Sequence, residues 1–243
     1  MGKRRVISNS GFYHVMMRGN HKENIFHSDS DRSKFLNILE NNASDQFQIH
    51  CYCLMPNHIH LLVYSENISR HIKQISISYA SWFNWKYNLI GHIFQGRFLS
   101  EVIESDQYYI NCVRYILRNP IKAQICNNFN YTWSSFKSYY CSHPYLIIKN
   151  KISDHFINFD DFFNFLSVGY DEKFMDMEDL YIPSDEEIKQ FLLIENIKSL
   201  KSLDTSTKKY IIQKIKENYP RVSASQIARV SDENRVTISF FLQ

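Results

Sequence analysis

Residues 55–63 read MPNHIHLLV, and the fold turns on how they are taken. Pro56-Asn57 is a turn signal, so the β-rich run before it, FQIHCYCLM, cannot simply continue into the run after it, HIHLLVYS. The two runs are expected to pair as an antiparallel hairpin. Side chains alternate along a strand, so His58 and His60 project from one face while Ile59 and Leu61 project from the other. That parity suits two imidazoles sharing one metal ion. It equally suits a buried strand whose histidines are only hydrogen-bonded.

Working outward, GFYHVMMRG alternates aromatic and aliphatic residues between two glycines and reads as a strand. DSDRSKFLNILENNA has acidic and Ser residues at a helix start, then Phe35, Ile38 and Leu39 at helical spacing. After the hairpin, Ile68, Ile72, Ile75, Tyr79 and Phe83 recur at three and four and predict a long helix. HIFQGRFLSEVI follows as a strand interrupted at Gly96. The order β-α-β-β-α-β predicts an α+β, ferredoxin-like (split βαβ) four-stranded antiparallel sheet with helices on one face. A further helix is expected from the cap residues Ser105-Asp106 through QYYINCVRYILRN to Pro120.

The charge is uneven along the chain. A net charge of +3 hides 16 Lys+Arg against 9 Asp+Glu in residues 1–150, 2 against 11 in 151–187, and 10 against 5 in 188–243. Two basic blocks flank an acidic stretch, and basic blocks with interleaved aromatics suit a polyphosphate partner, as well as plain solvated faces. The expected organisation is a sheet domain over 1–145, an acidic connector over 146–187 and a helical domain over 188–243. In the last, SASQIARV and NRVTISFFL read as two short helices around a turn, a small all-α helix-turn-helix. Asn234, Arg235 and Thr237 then lie on the helix that would enter a major groove of duplex DNA; a hairpin packed on the rest of the protein is the alternative.

No apolar run is long enough for a membrane span, and MGKRRVISNSGFYH lacks a signal-peptide core, so no membrane partner and a cytoplasmic location are expected. Five cysteines without a CxxC pair argue against a disulfide framework; Cys51 and Cys53 next to the histidines leave zinc as a minor reading, because structural zinc sites usually space their cysteines more widely. In YILRN, Tyr115 and Asn119 are four apart and share a helix face. A phenol nucleophile with an amide ligand, or an ordinary amphipathic core tyrosine, both fit that spacing.

PNHIHLLV, the GRF of QGRF, and RYILRNPIKAQI followed by YTWSS together resemble the single-tyrosine HUH transposases, and among them the REP-associated tyrosine transposase branch; the likeness runs through about residues 11–140. The resemblance implies a metal-dependent endonuclease and strand transferase that acts on single-stranded DNA beside a hairpin. It implies His58, His60 and Asn119 as metal ligands and Tyr115 as the nucleophile that forms a 5′-phosphotyrosine. A phenol with an ordinary pKa of about 10 is a weak nucleophile near neutral pH, so the phosphate must be made the better electrophile. Mg²⁺ or Mn²⁺ would do this, and two imidazoles suit Mn²⁺ at least as well. Arg4, Arg5, Arg18, Arg97, Arg114 and Lys122 are the residues expected on the DNA; Gly96 beside Arg97 is expected to let a backbone approach closely, and Arg114 and Lys122 also read as exposed helix charges. A non-catalytic nucleic-acid binder or regulator on the same sheet is the competing reading, and a zinc hydrolase a distant one. Monomer and homodimer are both compatible with the sequence.

Overall fold

The computed structural model describes residues 5–139, 154–168, 174, 183, 185–219 and 222–242, and the chain divides into two units, 1–174 and 175–243. Arg4 and Cys141 lie outside the described residues.

In the first unit the elements are β1 (Phe12–Arg18), α1 (Asp29–Asn42), β2 (Phe47–Leu54), β3 (His58–Ser65), α2 (Ile68–Tyr87), β4 (Leu99–Ile103), α3 (Asp106–Lys122) and α4 (Phe159–Ser167). The sheet order is β2-β3-β1-β4, antiparallel throughout. This is the split βαβ arrangement the sequence predicts. One face carries α1 and α2: Tyr13, Val15 and Met17 of β1 and Ile59, Leu61 and Val63 of β3 pack with the α2 stripe Ile68, Ile72, Ile75, Tyr79 and Phe83. Each of these buried side chains contributes roughly 1.5–3 kcal/mol by leaving water.

The other face is not open. Leu62 and Ile103 pack there against Tyr109, Cys112, Val113 and Ile116 of α3, and α4 lies beyond with Phe162 and Leu166 in the same cluster. Part of the stretch read as an acidic connector is thus a helix on α3. Arg118 Nη1 donates to the Leu166 carbonyl at 2.6 Å, at the C-terminal end of α4 where unsatisfied carbonyls favour a cation. The outer edge of β2 is covered too, since Leu54 N donates to Trp133 O at 2.8 Å and Cys53 bridges to Ser134.

Three local features depart from the sequence expectations. The fourth strand begins at Leu99, and Phe94 ahead of it makes only an isolated bridge to Gly19. Helix α3 continues through Pro120 to Lys122; the proline removes one helix bond, but its ring is buried and just one short turn follows. Gly96 takes φ +64, which favours glycine, and nothing lies within 4 Å of where its Cβ would stand. Its role is therefore to turn the chain, not to admit a close neighbour. Gly19 is the position with close approach, because a Cβ there would meet Glu23 O at 2.0 Å.

The second unit comprises α5 (Asp185–Ile194), α6 (Thr205–Asn218), α7 (Ala224–Ser231) and α8 (Arg235–Phe241) around Ile188, Leu200, Ile212, Ile215, Ile227 and Ile238. Ser223 and Gln226 form a capping box on α7, and Asp232 in the left-handed region (φ 55) turns the chain into α8. No helix among the described residues is long and apolar enough to cross a membrane.

Asp31 clamps α1 to α2. Its fully buried carboxylate accepts from His27 N (2.7 Å), Ser28 N (2.8 Å) and Tyr87 Oη and pairs with Lys86 Nζ. Burial alone would raise its pKa, but the bonds from Lys86, Tyr87 and the two amides outweigh it and bring the carboxyl down to about 2. A carboxyl with a lowered folded-state pKa adds stability that is present above the unfolded value near 3.9 and lost as pH falls towards about 2. Asp31→Ala should cost about 2–4 kcal/mol in urea unfolding at pH 7, and the gap between wild type and variant should close as the titration is repeated down to pH 2.

Candidate active site

On the α3 face of the sheet, β1 and β3 supply a row of polar side chains inside an otherwise apolar layer. β3 contributes His58 and His60, whose ring centroids are 5.0 Å apart at 85°. β1 contributes His14, stacked on His60 at 5.3 Å and 19°, and Arg18, which pairs in register with His58. From α3, Tyr115 sets its ring edge-on to both His60 and His14, each at 5.5 Å. Asn119 lies one turn further along α3 and donates from Nδ2 to Tyr115 O at 2.9 Å. Tyr115 of the predicted helix face thus meets His60 of the predicted strand face, with Asn119 bonded to the Tyr115 carbonyl.

The hydrogen bonds orient the rings. His58 Nδ1 lies 2.7 Å from Asn57 Oδ1; an amide oxygen only accepts, so Nδ1 donates and the lone pair falls on Nε2. His60 Nδ1 lies 3.1 Å from His14 Nε2, and His60 Nε2 is buried with no hydrogen-bond partner. Burial holds the His60 pKa well below the ordinary imidazole value, with His58, His14 and Lys122 adding repulsion, so the ring is neutral at pH 7. A neutral, buried imidazole with an unsatisfied nitrogen is a metal ligand's usual state. The bond from Asn119 Nδ2 back to the helix engages the amide nitrogen, so that any ligation by this side chain would be through its oxygen. Two imidazoles and one amide oxygen fit a divalent ion of intermediate hardness.

No cluster of three or more His, Cys, Asp and Glu able to hold a metal occurs among the described residues. The zinc reading gains nothing from Cys51 and Cys53: burial pushes Cys51 to about 11 and holds Cys53 well above the ordinary thiol range, so both are protonated thiols of the core.

The residues expected on DNA separate into groups. Lys122 is exposed at the end of α3 and acts electrostatically on His60, and Arg18 is buried beside His58. Arg114 is committed to packing: it donates to Asn111 Oδ1 (3.0 Å) and lies over the Phe165 ring at 4.2 Å. Arg5 and Arg97 are on the other side of the sheet, in a cleft of about 910 Å³ with Lys73 and Phe98; Arg5 donates to Phe98 O at 3.0 Å and stacks on its ring. In the second unit Asn234 is taken up as the cap of α8, accepting from Val236 N at 2.8 Å, Arg235 is exposed and Thr237 is half-buried.

Three further residues were not singled out by sequence. His14 shares the parity of Phe12, Met16 and Arg18 in GFYHVMMRG, and counting that alternation against the hairpin would have found it. Glu101 is its register partner on β4. Phe174 packs on Tyr115 at 5.0 Å and on Tyr108 at 4.9 Å, leaving Tyr115 6% exposed; a phenylalanine in an acidic, Phe-rich run gives no such signal.

Residues 8–119 match the family model described as transposase IS200-like. No curated protein matches the chain. Among solved structures the chain is similar, at 17% identity and a TM-score of 0.48, to the REP-associated tyrosine transposase bound to a REP hairpin, with 61% of this chain and 92% of that chain covered. It is also similar, at 17% identity and a TM-score of 0.34, to a candidate transposase from Deinococcus radiodurans R1, with 48% of this chain and 95% of that chain covered. The stretch matched by the family model runs from just before β1 to Asn119 and contains all five of His14, His58, His60, Tyr115 and Asn119. Through that stretch, somewhat under half of its length, the chain is similar to the IS200-like transposases.

Proposed function

We propose that this protein is a transposase, a single-tyrosine HUH enzyme of the REP-associated kind, which nicks and rejoins single-stranded DNA beside a hairpin through a covalent tyrosine intermediate. The observation that carries the reading is the meeting of Tyr115 with the His58–His60 strand within one chain, with the ring of Tyr115 edge-on to His60 at 5.5 Å.

In this reading the Tyr115 phenolic oxygen attacks a phosphorus of the strand. The P–O3′ bond breaks, the leaving oxygen takes a proton to become a 3′-hydroxyl, and the 5′ side stays on the protein as a phosphotyrosine. Attack by another 3′-hydroxyl reverses the step and joins two strands, with the bond energy conserved in the adduct. His58, His60 and Asn119 would hold the divalent ion, Mg²⁺ or Mn²⁺, which when bound polarises the phosphate and offsets its developing charge. Lys122 places a cation at the same face for the flanking phosphates. Because Phe174 covers Tyr115, the DNA enters only as that ring moves aside.

The C-terminal unit would hold duplex DNA through α8, where Arg235 is exposed. Under this assignment Arg235→Ala weakens duplex binding to a similar degree across sequences and lowers the salt slope by about one, measured by fluorescence anisotropy at several salt concentrations.

The reaction itself is tested with single-stranded DNA carrying a hairpin from the flanks of the gene, labelled at either end and incubated with Mg²⁺ or Mn²⁺. A protein-linked 5′-side product is expected on denaturing gels, absent with Tyr115→Phe, with chelator, and reduced at least 100-fold with His58→Ala. Tight binding with no adduct on any hairpin would make the protein a non-catalytic binder on the same sheet. Phe174→Ala should speed adduct formation several-fold at unchanged fold, read from the initial rate in the same assay; an unchanged rate would mean that Phe174 does not limit access.

A further inference from the structure

Three polar side chains are lined up behind the proposed ligand pair. Glu101 and His14 are directly paired residues of β4 and β1, and Glu101 Oε2 stands 3.7 Å from His14 Nδ1. His14 is fully buried, and its Nε2 is 3.1 Å from Nδ1 of the equally buried His60. Around them are the rings of Tyr115 and Phe174, so nothing apolar explains why β1 carries a histidine at this position.

We infer that Glu101 and His14 form a relay that fixes the tautomer of His60, so that its Nε2 carries the lone pair a metal ion requires. The inference rests on the metal-ligand role proposed for His60. A carboxylate can only accept, so Glu101 favours the proton of His14 on Nδ1. With its proton on Nδ1, His14 offers Nε2 as an acceptor. His60 Nδ1, facing it, must donate, and the His60 lone pair is left on Nε2, the ring atom with no hydrogen-bond partner. The reverse arrangement would bury an N–H at His60 Nε2 and close that nitrogen to a metal, whereas an N–H at His14 Nδ1, equally without a hydrogen bond, faces the Glu101 carboxylate at 3.7 Å; that carboxylate is what separates the two arrangements. At 3.7 Å the partly exposed carboxylate acts on the fully buried His14 through its field rather than through a hydrogen bond, and burial of the imidazole limits the screening of that field. Asn57 does the same service for His58 through one bond; His60, deeper in the sheet, is served through two side chains. His14 and Glu101 are positioning residues, since neither would touch the DNA or the ion.

The test reads the tautomer and the ion separately. Long-range ¹H–¹⁵N spectra of the histidine-labelled full chain should show His60 and His14 both protonated on Nδ1, and Glu101→Leu should convert His14 to a mixture of tautomers. Mn²⁺ titration followed by electron paramagnetic resonance should show His14→Phe weakening binding about 10–100-fold. His14→Gln, whose amide oxygen can accept from His60 Nδ1, should recover most of that loss. An Nε2-protonated His60 in the wild type, or His14→Phe binding Mn²⁺ as tightly as wild type, would overturn the relay. If His14→Phe does not fold, the wild-type spectrum and the Glu101→Leu variant decide alone. A wild type that shows the expected tautomers but binds no Mn²⁺ would leave the relay standing and sink the proposed metal role instead.

Discussion

The antiparallel pairing of β1 with β3 is the constraint on which the rest of this molecule depends. Its register sets Met16 opposite His60 and Arg18 opposite His58, and it puts His14 one step along the same face. A strand repeats every two residues, so a slip of one would turn His58 and His60 into the layer under α2 and put Ile59, Leu61 and Val63 on the other side. Those three aliphatic residues are fully buried, and their packing against α1 and α2 is what makes the slip costly. The polar row is therefore held in place by the apolar row behind it. The chemistry on one face is specified by the hydrophobic effect on the other.

The helix that completes the site needs its own anchor. β2 has a bulge between Ile49 and Cys51, where the extra residue is His50. His50 Nδ1 bonds Tyr109 Oη at 2.8 Å, a polar contact in a layer otherwise filled by Cys112, Val113 and Ile116. Apolar packing alone lets a helix slide or roll by small amounts; a buried directional bond at its first turns does not. With Tyr109 fixed, Tyr115 and Asn119 fall at set positions along α3. α4 adds a second restraint from the outside, through Arg114 on Phe165 and Arg118 on the last carbonyls of α4.

How much of this was legible in the sequence follows from the range of each interaction. The hairpin, the long amphipathic α2 and the alternation of β3 are local patterns, and Pro56-Asn57, the Ile68-to-Phe83 stripe and His58/His60 gave them directly. Tyr115 and Asn119 were legible as a pair because four residues make one helical turn. The partners of these groups were not, since His14, Glu101 and Phe174 reach the site across 46, 87 and 59 residues of chain from His60, His14 and Tyr115, distances at which no periodicity speaks. The surroundings of the basic residues were hidden for a related reason. A guanidinium has the same appearance in a sequence whether it waits for a phosphate or, like Arg114, is already stacked on a phenylalanine 51 residues away.

The donor set of the proposed centre has an electrostatic consequence. Two neutral imidazoles and an amide oxygen bring no negative charge, so an ion held by them would keep its full charge towards an anionic phosphodiester; a carboxylate in place of Asn119 would hold the ion more tightly and cancel part of that pull. A site of this kind risks weak retention of the ion. Stronger donation by the imidazoles is the remedy that adds no charge at the phosphate, and hydrogen bonds to their far nitrogens supply it. Glu101 fits that logic by its position. Two imidazole rings, His14 and His60, separate its carboxylate from the nitrogen that would meet the ion, so its charge polarises the ring stack from behind while standing well away from where the DNA phosphate would bind.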